Sequence, residues 1–426
     1  MGWTAAHGFV ALRRPVASTE LIVKELVVRP RTHVVPAAPP GDRPTRSFGI
    51  LSSFPPTACG IATFSAALAA GLLANGDGVD VVRCGGTAPA MEDPLVLASL
   101  GEELEGFAAA IDVLDRADVA IVQHEYGIYG GPDGVDVLSV LDALSVPSIV
   151  VAHTVVRLPT SHQRDVLEQV CAAADAVVVM TATARDRLVE GFDVDPAKIG
   201  IIPHGAATPL TDSPSAADRP AHHAARLLTW GLLGPGKGIE WAIDAVADLA
   251  DVQPRPRYLI AGATHPKVAA HAGEAYRDML VARAASSGAA PYVTFDDSYR
   301  DLAALTELIR SADVVVLPYD SVDQVTSGVL VDAVAAGRPV VSTAFPHAVE
   351  LLASGAGLVV PQRNPSALAE AIRAVVTDHD LADRMAAEAR RLAPELSWNA
   401  IAGRYGRLAD VLLGVAMPNA TDTVSA

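Results

Sequence analysis

The sequence predicts an α/β protein with two Rossmann-like, doubly wound parallel-sheet domains facing a cleft, followed by a helical C-terminal tail. Three observations carry this expectation. From residue 47 onward, short Val- and Ile-rich runs alternate with amphipathic runs. The apolar runs lack period-two alternation, as strands buried on both faces do. The alternation stops once, over 207–224, and then resumes in the same form. Strand–helix–strand repetition of this kind builds parallel sheets through right-handed crossovers.

A length of 426 residues with 50% hydrophobic content suits two domains better than one. Residues 1–45 are rich in Pro and Arg and end in "RPRTHVVPAAPPGDRP". They are expected to form a disordered leader, the alternatives being a misplaced start and a basic arm in peripheral contact with a membrane. The first domain is expected over 46–206. Its strands are "SFGILSSF", "VDVVRCG", "VAIVQHE", "PSIVVAHT", "AVVVMT" and "IGIIPHG", and a helix "IATFSAALAAGLLANG" ends at Gly76. The segment 207–224 is polar, Pro-bearing and aperiodic, and reads as the linker. The second domain is expected over 225–395, with strands "RLLTWGLL", "RYLIAGAT", "YVTFDD", "DVVVLPY", "PVVSTAF" and "AGLVVP". Helices are expected over 238–250, 273–288, 301–312 and 326–336. Beyond about 365 the pattern is helical. A last helix in 396–426 is expected to cross back towards the first domain.

The net charge of −17 argues against general binding to nucleic acid or to an anionic membrane. Cys59, Cys84 and Cys171 lack metal-ligand or redox spacing and read as reduced thiols. No apolar run reaches the ~18 residues that span a bilayer, and no signal peptide is evident. The expected location is the cytoplasm.

The stretch "GLLGPGK", Gly231 to Lys237, fits the first seven positions of the phosphate-binding P-loop, but the eighth is Gly238 rather than Ser or Thr. A P-loop uses that hydroxyl to hold Mg²⁺. The context still suits an anion: Gly236 and Gly238 let the backbone approach a phosphate, a helix starts at Ile239, and Lys237 adds a charge. Lys237 is one of only four lysines, with Lys24, Lys198 and Lys267. The alternative is a helix-capping Gly turn with an exposed Lys.

A second stretch, "PYDSVDQVTSGVLVDAVAAGRPVVSTAFPHAVELLASGAGLVVP", resembles the family 4 glycosyltransferases of the GT-B fold. The resemblance covers roughly 47 to 414. It implies that Gly231, Gly236 and Lys237 bind the donor diphosphate. The family's Glu-x7-Glu pair falls on Gln324 and Asp332, ahead of "AAGRPVV". Asp332 would hold the ribose hydroxyls, and Gln324, with Asp323 beside it, would meet the transferred sugar without a negative charge. The Arg that the family carries beside its Lys is Leu232 here. Thr326, Ser327 and Gly328 start a helix whose N–H groups can bind phosphate, or whose first residues form an ordinary N-cap.

The first domain fits the same resemblance. "SSFPPTACGIATFSAAL" is similar to the family's glycine loop, with Gly60 and Ile61 as backbone donors. His153 stands where the family lines the site near the sugar. His124 and Glu125 are assigned to the acceptor, Thr264 to a phosphate or base contact, and His204 to the cleft wall near the hinge. Glu274 and Arg277 read as an i, i+3 pair on a solvated face.

The resemblance implies a retaining transfer of a hexose from a nucleotide-diphosphate sugar, GDP- or UDP-linked, to a hydroxyl acceptor. It implies no metal and no cofactor beyond the nucleotide sugar. His153, Lys237 and Gln324 would be catalytic. Rival readings are a GT-B epimerase or phosphorylase, an ATPase, and a non-catalytic nucleotide-sugar sensor.

Overall fold

The computed structural model describes residues 45–57, 59–85, 93–101, 104–206, 223–298 and 300–415. The leader, apart from Thr45, and residues 207–222 of the linker lie outside the described residues.

In the first domain β1 (Ser47–Ser52), α1 (Gly60–Ala74), β2 (Gly78–Cys84), β3 (Val96–Leu100), α2 (Leu104–Leu114) and β4 (Val119–His124) come first. Then follow α3 (Val137–Ala143), β5 (Ser148–Ala152), α4 (Ser161–Ala173), β6 (Ala176–Val179), α5 (Ala182–Gly191) and β7 (Ile199–Ile201). The second domain runs β8 (Arg226–Trp230), α6 (Ile239–Ala247), β9 (Arg257–Ala261), α7 (Pro266–Ala272), α8 (Ala275–Ser286), β10 (Val293–Asp296) and α9 (Leu302–Ser311). It continues with β11 (Val314–Leu317), α10 (Gly328–Ala335), β12 (Val340–Thr343), α11 (Pro346–Leu352), β13 (Gly357–Val360), α12 (Pro365–Thr377), α13 (His379–Leu396) and α14 (Trp398–Leu412).

The strands form a seven-stranded sheet ordered β3-β2-β1-β4-β5-β6-β7 and a six-stranded sheet ordered β10-β9-β8-β11-β12-β13. Their pairings are parallel; Ser47 sits opposite Gly78, and Phe48 opposite Val119. The unbroken apolar runs have a simple cause. Leu51, Val122, Val150 and Val177 feed one core layer of the first sheet, and Ile50, Ile121, Ile149 and Val178 feed the other. In the second sheet Val314 and Val316 point to one layer and Val315 and Leu317 to the opposite one. Two elements went unread in the sequence. β3 is an edge strand whose residues are half-buried or exposed, so it carries no strong apolar run. α7 is a seven-residue helix started by Pro266.

Packing and polar contacts together hold the C-terminal helices in place. Packed against α10, α13 stays with the second domain, whereas α14 leaves it and packs on α1. Ile401, Ala402, Tyr405 and Leu408 join Phe64, Leu68 and Leu72 in one buried cluster. Gly71 makes that approach feasible, because a Cβ there would lie 2.7 Å from the Trp398 carbonyl oxygen. Ala206, just before the linker, pairs with Ser397, and its N–H donates to the Leu396 carbonyl at 2.7 Å. Arg46 ties α14 to β1 through Asp410 and Asp77, both at 2.9 Å.

Candidate active site

Sheet order reverses between β1 and β4 in one domain and between β8 and β11 in the other. In doubly wound sheets such reversals open a crevice at the carboxyl ends of the strands. The chain places its Gly-rich, His-rich and Lys-bearing loops at these two points.

After β8 the backbone turns through Gly231 (φ 109), Gly236 (φ 88) and Gly238 (φ 61). Gly238 caps α6 in the left-handed region, and a Cβ there would lie 1.9 Å from the Pro318 carbonyl oxygen. A Ser or Thr therefore has no room at this position, and the Mg²⁺-binding hydroxyl of a P-loop cannot be accommodated. The loop instead presents Lys237, whose Nζ lies 4.3 Å from the centroid of the Tyr319 ring. Tyr319 is fully buried and stacks on Phe345, while its carbonyl accepts from Gln362 and Thr343. Among the described residues Lys237 has no carboxylate partner; the nearby Asp320 is engaged by Arg363 at 3.2 Å. The result is a cation held on an aromatic face, with no carboxylate paired to it among the described residues.

Opposite this loop, α10 begins. Ser327 is its N-cap, and the Ser327 Oγ accepts the Leu330 N–H at 3.3 Å. The Ser327 N–H itself donates to Nδ1 of His347 at 2.8 Å, so it is not free for a phosphate as expected. The N–H groups at the helix start that have no helical acceptor are those of Gly328 and Val329. Gly328 is required by a close approach, since a Cβ would lie 2.9 Å from Cε1 of His204. Asp332 follows one helical turn later on the same face. Gln324 and Thr326 are half-buried in the loop before α10. Across the cleft, α1 starts at Gly60, with Ile61 next; Cys59 caps it through Sγ, 3.4 Å from the Ala62 nitrogen. Among the described residues nothing lies within 4 Å of a Cβ placed on Gly60, so their packing does not demand glycine there.

The histidines differ in kind. His153 Nε2 lies 2.6 Å from Gln123 Oε1, which makes Nε2 the protonated nitrogen and leaves Nδ1 as an acceptor. Burial first, then His204 and His124, bring its pKa down to about 3. His204 Nδ1 donates to the Gly205 carbonyl at 2.5 Å, and burial lowers its pKa to about 4. Phe64 meets His153, His204 and Trp398 edge-on at 4.8, 5.1 and 5.0 Å between ring centroids. His124 is only 1% exposed, and neither ring nitrogen has a hydrogen-bond partner among the described residues. It lies behind the cleft surface rather than in an acceptor pocket. Its neighbour Glu125 is half-buried; it accepts from the Thr154 hydroxyl at 2.5 Å and the Tyr126 N–H at 3.1 Å. Burial raises the Glu125 pKa, and the charge of Lys267 acts against that.

Thr264 is not a free donor contact. It is 7% exposed and its hydroxyl donates to Glu274 at 2.5 Å. Arg277 donates to the Gly262 carbonyl at 2.9 Å. Glu274 and Arg277 therefore brace the turn after β9 rather than pairing on a solvated face.

Sequence reasoning missed Tyr319, His347, Lys267 and Glu350. Lys267, on α7, reaches across the cleft, with Nζ 3.1 Å from a Cβ placed on Gly127. Its rarity as a lysine was the one available signal. Glu350, on α11, accepts the Ala182 N–H at 2.8 Å and the Thr183 N–H at 3.1 Å, so it caps a helix of the other domain. No group of three His, Cys, Asp or Glu that could hold a metal forms among the described residues. No helix among them is long and apolar enough to cross a membrane.

Residues 224–378 match the family described as Glycosyl transferases group 1, and residues 58–208 match Glycosyltransferase Family 4. Relatives include the D-inositol 3-phosphate glycosyltransferase of Corynebacterium efficiens, 28% identical over 63% of this chain and 66% of that protein. The protein of the same name from Geodermatophilus obscurus is 31% identical over 60% of this chain and 59% of its own length. A glycogen synthase of Mycobacterium tuberculosis is 29% identical over 54% of this chain and 52% of that protein. The chain thus spans less than two thirds of the length of these relatives. Among solved structures, sucrose-phosphate synthase from Thermosynechococcus elongatus superposes with a TM-score of 0.67 at 19% identity, covering 87% of this chain and 100% of that one. Anabaena HepE in complex with UDP gives 0.68 at 16% identity, covering 86% and 100%. At these identities the likeness is one of fold, and the fold is GT-B.

Proposed function

The chain belongs to the group 1, family 4 glycosyltransferases, and we propose that it is a retaining hexosyltransferase acting without a metal ion. Its donor is a nucleoside-diphosphate sugar, UDP- or GDP-linked, and its acceptor a hydroxyl. HepE, which shares the fold, has been crystallised with UDP-glucose. The observation that carries the reading is the Lys237 ammonium, fixed over Tyr319 with no carboxylate partner among the described residues.

In the transfer, the bond from the sugar's anomeric carbon to the diphosphate oxygen breaks and one to the acceptor oxygen forms. Negative charge grows on the departing diphosphate. Lys237 and the N–H groups of Gly328 and Val329 face it from the second domain, and those of Gly60 and Ile61 from the first. Losing one such preorganised contact costs about 3–4 kcal/mol in the transition state. Asp332 takes the ribose hydroxyls. Gln324 and Thr326 stand beside the sugar. Neutral at pH 7, His153 acts there through its Nδ1 lone pair rather than as a cation. Glu125 serves the acceptor side. No cofactor beyond the nucleotide sugar is needed, and the reaction belongs to the cytoplasm.

The test is thermal stabilisation by UDP, GDP, ADP and ATP, each with and without Mg²⁺. A ligand at a hundred times its Kd adds about 2.7 kcal/mol. A shift with UDP or GDP that ignores Mg²⁺ is expected. A shift only with ATP and Mg²⁺ overturns the reading. Proton NMR of the product then reads the anomeric configuration, with retention expected.

A further inference from the structure

The loop that carries Gln324 belongs to the second domain by sequence, and Gln362 of that domain holds its start at the Ser321 carbonyl, 3.1 Å away, but the anchors on Val322–Val325 lie in the first domain. Arg187, on α5, donates through Nη2 to the Val322 carbonyl at 2.8 Å and through Nη1 to the Asp323 carbonyl at 3.4 Å. The same Nη1 reaches the Val155 carbonyl at 3.4 Å and lies 3.5 Å from the Asp323 carboxylate. That carboxylate also accepts the Arg157 N–H at 3.3 Å. On the far side of Gln324, Val325 is 2% exposed and packs in the first domain's core, in the cluster of Val155, Ala184 and Leu188. Gln324 therefore sits between two anchors, one polar and one apolar, both supplied by the opposite domain. α5 is itself fixed to the second domain at its start, by the Glu350 carboxylate on Ala182 and Thr183.

We infer that Arg187 is a positioning residue for the sugar end of the site, acting through the Val322–Val325 loop from the other domain. The inference rests on the glycosyltransferase reading for its catalytic consequence, but not for the anchoring itself. Arg187 touches Val155, Val322 and Asp323, and not Lys237, the start of α10, Gly60 or Ile61, so nucleotide binding is expected not to depend on it. Gln324 does depend on it, because two backbone carbonyls next to it are held by one planar guanidinium. A Lys can meet one carbonyl but does not reproduce the fork. Misplacement of about 1 Å near reacting atoms can cost ~10²-fold in rate.

The experiment compares the full chain with its Arg187→Ala and Arg187→Lys variants. Three quantities are read: kcat, the nucleoside-diphosphate Kd, and amide hydrogen exchange across 319–327 and 231–238. For Arg187→Ala, kcat is expected to fall by at least ~10-fold while the Kd stays within about two-fold of wild type. Exchange should quicken in 319–327 and not in 231–238. Arg187→Lys should fall between wild type and Ala in kcat. Wild-type kcat and exchange in Arg187→Ala overturn the inference. So does a loss of kcat matched by an equal loss of nucleotide affinity, or faster exchange throughout. If the Ala variant does not fold, Arg187→Lys carries the same comparison. If the wild-type protein transfers no sugar, the glycosyltransferase reading fails, and exchange in 319–327 still decides the anchoring.

Discussion

Nδ1 of His347 accepts the backbone N–H of Ser327 at 2.8 Å, and this bond fixes how α10 presents its first N–H groups. The bond requires an unprotonated Nδ1. Burial holds the His347 pKa at about 3, with His204 adding to the effect. His153 is held at about 3, and His124 and His204 at about 4, mainly by the same burial.

These depressions fix the sign of an acid effect. A histidine titrates near 6.5 in the unfolded chain, so between that pH and its folded value the unfolded state binds more protons. The stability contributed by the four imidazoles is complete above pH ~6.5 and is lost as pH falls through that window. Each adds a slope of at most ~1.4 kcal/mol per pH unit. Glu125, raised by burial, works in the opposite sense as a single group. Urea midpoints should change little from pH 7.5 to about 6.5 and then fall through pH 6 and 5, before most carboxylates titrate. A flat profile from 7.5 to 5 is the contrary outcome.

Lys237→Ala should lower kcat by at least ~10²-fold, as expected when one charge contact to the transition state is lost. Tyr319 would keep its place, because its ring is buried and its carbonyl is held by Gln362. Steady-state kinetics with a nucleotide sugar checks this. Unchanged turnover in a folded variant removes Lys237 from the site.

Gly238→Ser restores the P-loop signature and should do harm. The left-handed backbone costs about 1–2 kcal/mol for a residue with a Cβ, and the Pro318 carbonyl stands 1.9 Å from that Cβ. A lower Tm and no gain of Mg²⁺-dependent ATP hydrolysis are expected. A stable variant that hydrolyses ATP would point back to the P-loop.

Gln324→Glu returns the carboxylate typical of the family at nearly the same volume. The loop anchors on either side of it do not involve the amide. The variant should keep activity or change its sugar preference, read by competition between nucleotide sugars. Complete loss in a folded protein would mean that the neutral amide is required.

The fold was legible because its signal is local and repeated. Runs such as "VAIVQH" and "RLLTW" are apolar on both faces, and that pattern has few solutions besides a covered parallel sheet. Lys237 and Gly328 stood out for the same reason, as residues in short strand–turn–helix contexts. β3 escaped because an edge strand need not be apolar throughout.

By itself, the sequence determined the two-sheet α/β architecture and singled out the loops in which candidate chemistry could be sought. Only the tertiary structure decided which of those groups are available. His124 is sealed, the Thr264 hydroxyl is taken by Glu274, and the Ser327 N–H is taken by His347. It alone placed Lys237 over Tyr319 and gave the Gln324 loop to Arg187 of the other domain. The physical reason is that strand and helix patterns arise from neighbours in the chain. Hydrogen-bond partners and burial depend on residues far apart in sequence, and here on both domains at once.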